Sequence, residues 1–141
     1  MLVRLLLVED HVVLAEATAE FLRRMGIEVQ VARSAAEALR AVEAFGPEIV
    51  LCDLGLPDHS GLDVARALRA AVDMRKVLFA LHTALADTEI HILERQIDHG
   101  LVQLFLSKPI TEEKIATLLR EFRALRDKPC SQARPPQHRA A

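Results

Sequence analysis

Residues 49–61 read IVLCDLGLPDHSG. Ile49, Val50, Leu51 and Cys52 run without alternation of polar and apolar types, as expected of a strand covered on both faces of a parallel sheet. The run ends in a bare carboxylate, Asp53, followed by a loop containing Gly55, Pro57 and Gly61. A charge at the mouth of a core strand is costly unless other polar groups gather beside it. Its partners have to come from elsewhere in the chain.

Similar apolar runs lie at 5–8, 29–31, 77–81 and 101–106, giving five strands in all. A helical stretch follows each, with apolar residues spaced by three and four. The stripes are Leu14, Thr18, Phe21, Leu22 and Met25; Leu39, Val42 and Phe45; Leu62, Ala65 and Leu68; Ile90, Leu93 and Ile97; and Ile115, Leu118, Leu119 and Phe122. Ser34 with Glu37 has capping-box spacing, Ser60 and Thr111 stand where N-caps belong, and Gly26, Gly46 and Gly100 stand where helices should stop. A strand–helix unit repeated five times specifies an α/β fold. The expected form is a doubly wound five-stranded parallel sheet in the order 2-1-3-4-5, with right-handed crossovers and helices on both faces.

With 141 residues the chain has room for one core and no second domain. Residues 1–126 form that domain. Residues 127–141, DKPCSQARPPQHRAA, carry three prolines and no period, as in a disordered tail. A net charge of -2 provides no broad cationic surface, which argues against direct nucleic-acid binding. The opening MLVRLLLVEDH is apolar for too few residues to be a signal peptide or a membrane span, and is expected to be mature strand. Cys52 and Cys130 can build neither a disulfide framework nor a zinc site, and they suit a reducing, cytoplasmic setting.

Ligands of open α/β sheets bind beyond the carboxyl ends of the strands. Four of the five strands carry polar residues there: Glu9 and Asp10 after the first, Asp53 after the third, His82 and Thr83 after the fourth, Ser107 and Lys108 after the fifth. Singly, each has an ordinary explanation as a cap, a turn former or a solvated loop residue. Their coincidence on one edge points to a site. Carboxylates about 4 Å apart repel by about 4 kcal/mol at an effective dielectric near 20, so Glu9, Asp10 and Asp53 must hold protons or recruit a cation. Oxygen-only donors select magnesium, which keeps several waters and accepts a phosphate oxygen. A carboxylate nucleophile, a lysine and a hydroxyl beside such an ion fit phosphoryl transfer through an aspartyl-phosphate. Magnesium would serve one equatorial oxygen, Lys108 a second and Thr83 a third.

Four motifs in order, LLLVEDH, IVLCDLGLPDHSG, LHTA and FLSKP, resemble the receiver domain of bacterial two-component response regulators over roughly residues 3–125. The resemblance implies the flavodoxin-like receiver fold. It also implies that Asp53 accepts phosphate from a phosphohistidine of a sensor histidine kinase or histidine phosphotransfer protein, and that Glu9, Asp10, Asp53 and the Gly55 carbonyl hold Mg2+. By the same resemblance Lys108 bridges to the phosphoryl group, Thr83 moves toward it, Phe105 is the aromatic switch that follows Thr83, and Lys108-Pro109 is often cis. A downstream protein partner would dock on the face of helix 4, strand 5 and helix 5, and phosphorylation could drive homodimer formation. Such a chain is no enzyme beyond its own phosphoryl capture and release. The side chains two positions after the acceptor and two after the switch hydroxyl, Gly55 and Leu85, are the ones that tune hydrolysis in receivers. Neither can orient a water, so slow self-dephosphorylation is expected.

His82 departs from the family, which usually has an apolar residue there; a neutral histidine hydrogen-bonded in the sheet is expected. Residues 97–103 lack the usual small-and-acidic pattern and run longer than typical, so the identity of the partner does not carry over. His11 and His59 are expected to be exposed loop residues. A flavin module would need a phosphate-cradling loop where EDHVV stands, and an aspartate-nucleophile phosphatase usually has a second acid where Gly55 stands. The alternative that remains is a receiver-fold interaction module that signals without phosphate. Both a stand-alone receiver and a piece of a hybrid kinase or larger regulator remain open.

Overall fold

The computed structural model describes residues 2–127. Five parallel strands, β1 (Arg4–Val8), β2 (Glu28–Ala32), β3 (Ile49–Asp53), β4 (Leu78–Thr83) and β5 (Leu104–Ser107), lie in the order β2-β1-β3-β4-β5. The helices α1 (Val12–Arg24), α2 (Ala35–Phe45), α3 (Gly61–Ala71), α4 (Asp87–Gln96) and α5 (Glu112–Asp127) alternate with them. The expected fold and strand order are the observed ones. The tail proposed for 127–141 lies outside the described residues, apart from Asp127, which closes α5.

The unbroken apolar runs follow from two cores, one on each face of the sheet. Successive side chains of a strand point to opposite faces. Leu5, Leu7, Ile49, Leu51, Leu78 and Ala80 pack toward α1 and α5, while Leu6, Val8, Val50, Cys52, Phe79 and Leu81 pack toward α2, α3 and α4. The faces of α1 and α2 differ from the expected stripes. Ala15, Thr18, Ala19 and Leu22 are buried on α1, and Ala35, Ala38, Ala41 and Val42 on α2, whereas Met25 is exposed. Alanines let these helices lie close to the sheet, and the larger residues fill the flanks.

Most helix ends follow the sequence. Ser60 and Asp63 form a complete capping box, and Thr111 Oγ1 accepts Lys114 N–H at 3.2 Å. Ser34 caps Glu37 N–H, but the Glu37 carboxylate reaches back to Arg33 N–H, one residue beyond the box. Gly46 closes α2 in the left-handed region, at φ 64°. Gly100 does not stop a helix. α4 ends at Gln96, and residues 98–102 form a turn in which Asp98 O accepts Leu101 and Val102 N–H. β5 accordingly starts at Leu104, three residues later than expected. Gln103 accounts for the difference: its backbone N–H donates to Phe79 O while its side-chain Oε1 accepts Phe79 N–H at 2.8 Å. The Arg69 guanidinium then binds Leu101 O, Met74 O and Gln103 Oε1, which holds this longer segment against α3.

Of the two loop glycines singled out beside Asp53, Gly61 rather than Gly55 is sterically required. A Cβ at Gly61 would stand 2.6 Å from Asp53 O and 2.6 Å from Leu81 Cδ2, whereas one at Gly55 would meet nothing within 4 Å. Gly61→Ala is expected to cost about 1–3 kcal/mol through overpacking. Gly55→Ala should stay within about 0.5 kcal/mol. Urea unfolding of both variants at neutral pH measures the difference.

Candidate functional site

Parallel pairing brings every strand's carboxyl end to one edge. Val8 stands opposite Cys52, Asp53 opposite His82, and Thr83 opposite Ser107. Glu9, one residue past β1, extends the β1–β2 pairing through its N–H to Ala32 O at 2.9 Å, and the Val8–Cys52 register of β1 with β3 sets it beside Asp53. Oxygens of Glu9, Asp10 and Asp53 all lie within 4.8 Å of one another. Glu9 is buried, Asp53 half-buried and Asp10 exposed.

Lys108 reaches into this cluster from the β5–α5 loop. Its Nζ donates to Glu9 Oε1 at 3.0 Å and to Asp53 Oδ2 at 3.3 Å. The lysine is placed by its own N–H to Thr83 O at 2.7 Å and by Lys114, whose Nζ donates to Ser107 O and Pro109 O; the Lys108-Pro109 bond is cis. Sequence reading missed Lys114; its position one turn into α5 is the only available signal. Burial pushes the Glu9 carboxyl up, and the Asp53 charge adds to this against the Lys108 and His11 N–H bonds. For Lys108, burial acts to lower the pKa, but the Glu9 hydrogen bond and the two carboxylates outweigh it and the net direction is up.

The remaining residues surround this centre. Gly55 N–H donates to Asp53 Oδ1 at 3.2 Å, and Gly55 pairs with Ser60 to close the loop. Thr83 is buried at the end of β4, and its Oγ1 accepts Leu85 N–H at 3.2 Å. Phe105 is buried in β5 on the α4 side of the sheet. The structure thus joins Glu9, Asp10, Asp53 and Lys108 directly, attaches Gly55 through its amide, and sets Thr83 and Phe105 on the next two strands. His11 and His59 are exposed, and His11 has a structural use the sequence did not reveal: its Nδ1 caps α1 by accepting Leu14 N–H.

His82 is neutral, as expected. Burial, with Lys108 and Lys114 adding, pushes its pKa down to about 4, while Asp53 pulls the other way. The expected hydrogen bonding in the sheet is not found at Nε2, which is buried without a partner. The side chain shares the face of Leu78 and Ala80 by strand alternation, and that layer is apolar.

The donor set fits a hard divalent cation. Three carboxylates converge, and Cys52, next to Asp53 in sequence, is kept a protonated thiol by burial and by the Asp53, Glu9 and Asp58 charges.

The chain matches the family model described as response regulator receiver domain over residues 5–120. It is 34% identical over 117 residues to the DNA-binding response regulator MtrA of Mycobacterium tuberculosis, covering 83% of this chain and 51% of that protein. It is 33% identical over 121 residues to the transcriptional regulatory protein DpiA of Escherichia coli, covering 84% of this chain and 51% of that one. The chain therefore spans about half the length of these relatives. Among solved structures, the CheY-like receiver domain from Methylobacillus flagellatus superimposes with a TM-score of 0.73 at 27% identity, covering 86% of this chain and 99% of the other. The protein belongs to the response regulator receiver domain family.

Because the folded pKa of His82 lies below the ordinary 6.5, its burial contributes stability that is present above about pH 6.5 and is lost as pH falls toward 4. Between pH 7 and pH 5 the loss is expected to be about 2 kcal/mol. Urea denaturation at the two pH values should show that excess loss in the wild type and its absence in His82→Leu.

Proposed function

We propose that the protein is a phosphoacceptor that takes a phosphoryl group on Asp53 in a magnesium-dependent reaction and thereby switches protein contacts. The observation that carries this reading is Lys108 bridging Glu9 and Asp53, with Asp10 completing the acid cluster at the same edge.

Glu9, Asp10 and Asp53, with the Gly55 carbonyl, are the groups that would hold Mg2+. The ion would offset the crowded negative charge and draw charge from a phosphoryl oxygen. Asp53 supplies the nucleophile: a carboxylate oxygen forms a P–O bond as the P–N bond of a phosphohistidine breaks, and the electron pair leaves with the imidazole. Both Asp53 oxygens are engaged beforehand, Oδ1 by Gly55 N–H and Oδ2 by Lys108. Lys108 can transfer its ammonium from Oδ2 to an oxygen of the incoming group without leaving Glu9. The Thr83 hydroxyl accepts from Leu85 but retains its own proton to donate to another phosphoryl oxygen. These groups position and neutralise, which is most of what phosphoryl transfer asks of a protein. The only turnover proposed is the protein's own capture and release of phosphate.

The donor is a sensor histidine kinase or a histidine phosphotransfer protein, and the setting is cytoplasmic; among the described residues no helix is long and apolar enough to cross a membrane. The downstream partner is a protein docking on α4, β5 and α5, where Ile92 is 59% exposed. Phosphorylation-dependent pairing of two copies through this face belongs to the same reading.

Incubation with magnesium and acetyl phosphate should give a single phosphoryl adduct by intact mass, lost with EDTA and absent from Asp53→Ala. An adduct that survives the substitution would place the acceptor elsewhere. Gly55 and Leu85 carry no group able to orient an attacking water, so the phosphoprotein in magnesium buffer should persist for minutes or longer. Decay within seconds, followed by mass after donor removal, would contradict this.

A further inference from the structure

Asp58 lies at the tip of the loop between β3 and α3, outside the acid cluster. Its two oxygens both accept the Ala35 N–H, Oδ1 at 3.2 Å and Oδ2 at 3.1 Å. Ala35 opens α2, whose own N-cap, Ser34, is already engaged with Glu37 N–H. A helix begins with four unsatisfied N–H groups, so Asp58 serves one that Ser34 leaves free. The Asp58 carboxyl is held below the usual range first by the Ala35 N–H, against some burial, with its own N–H, Ala36 N–H and His59 adding.

The base of this loop is fixed to the acceptor strand. Gly61 N–H donates to Leu54 O at 2.7 Å, Gly55 pairs with Ser60, and Gly55 N–H reaches Asp53 Oδ1. The tip, carrying Asp58, is held from another element, 23 residues away in sequence. The loop is thus stretched between the acceptor carboxylate and the start of α2.

We propose that Asp58 is a positioning residue for the phosphoacceptor site: by tying the loop tip to α2 it sets the placement of the Gly55 segment that would hold the ion. The inference rests on the reading of Glu9, Asp10, Asp53 and Gly55 as magnesium donors. Coupling of this kind is reciprocal. If the Asp58–Ala35 bond favours ion binding, ion binding strengthens the Asp58–Ala35 bond.

The test titrates the wild type, Asp58→Ala and Asp58→Asn with MgCl2 by calorimetry and follows Ala35 amide exchange by NMR with and without the ion. Asp58 is exposed, so both variants should fold, and circular dichroism checks that they do. Asparagine keeps an acceptor oxygen and removes the charge; alanine removes both. The wild type should bind, with Ala35 exchange slowing on binding. Asp58→Ala should bind about 10-fold more weakly, the lower end of what losing an outer-shell partner costs, and its Ala35 exchange should no longer respond to magnesium. Asp58→Asn should retain most of the affinity. Unchanged affinity in Asp58→Ala, with Ala35 protection lowered equally in both states, would mark a plain helix cap and overturn the proposal. Equal weakening in both variants would mark a long-range charge effect and overturn it as well. Failure of the wild type to bind would overturn the magnesium reading itself, a result distinct from unchanged affinity beside a binding wild type.

Discussion

Three carboxylates crowd the carboxyl edge of the sheet around one ammonium, and the cost of holding them there is the constraint on which the rest of the structure depends. A pair of such charges about 4 Å apart is worth about 4 kcal/mol of repulsion at an effective dielectric near 20. Burying a leucine side chain contributes about 2 kcal/mol, so one unrelieved pair offsets roughly two core leucines. β1 and β3, which deliver Glu9 and Asp53, are each paired on both edges, which resists that force. Both are interior, and residues 5–8 and 49–52 are essentially inaccessible to solvent. Lys108 then relieves Glu9 and Asp53 together, leaving an excess of negative charge that faces outward through exposed Asp10.

The same constraint explains which features are legible in the sequence. Interior parallel strands leave unbroken apolar runs, so β1, β3 and β4 can be found directly, and the polar residue that ends each run marks the site. Local rules fail where a side chain does the work of the backbone. Gln103 supplies an acceptor to Phe79 N–H and Arg69 binds three oxygens of neighbouring segments, so β5 begins later than its apolar content implies. Counting large apolar residues also misplaces the inner faces of α1 and α2, because alanine at Ala15, Ala19, Ala35 and Ala38 buries by closeness rather than by size. The choice between Gly55 and Gly61 depends on a distance to Leu81, a residue 20 positions further on, which no local reading supplies.

His82 shows how a chain can tolerate a polar residue in the wall of such a site. An apolar side chain would avoid an unpartnered Nε2, while an ionised one would add a positive charge beneath Lys108 and Lys114. Imidazole is the ionisable side chain that becomes neutral with only a small shift from its ordinary range, and here burial and the two lysines act in the same direction. The arrangement keeps the local cationic charge on Lys108, where it can meet Asp53, instead of dividing it with the sheet below.

The geometry also determines where a change of charge at Asp53 would be felt. Oδ2 is tied to Lys108 and through it to the β5–α5 loop, and Oδ1 is tied to Gly55 and the β3–α3 loop, while the strand backbone is fixed by its pairing with β1 and β4. A phosphoryl group carries nearly two negative charges near neutral pH, and close packing leaves the strands little freedom to give way. The two loops have that freedom. One leads to α5 through Lys108 and Lys114, and the other leads to α2 through Asp58, so the Asp53 carboxylate is connected by side chains to helices on both faces of the sheet.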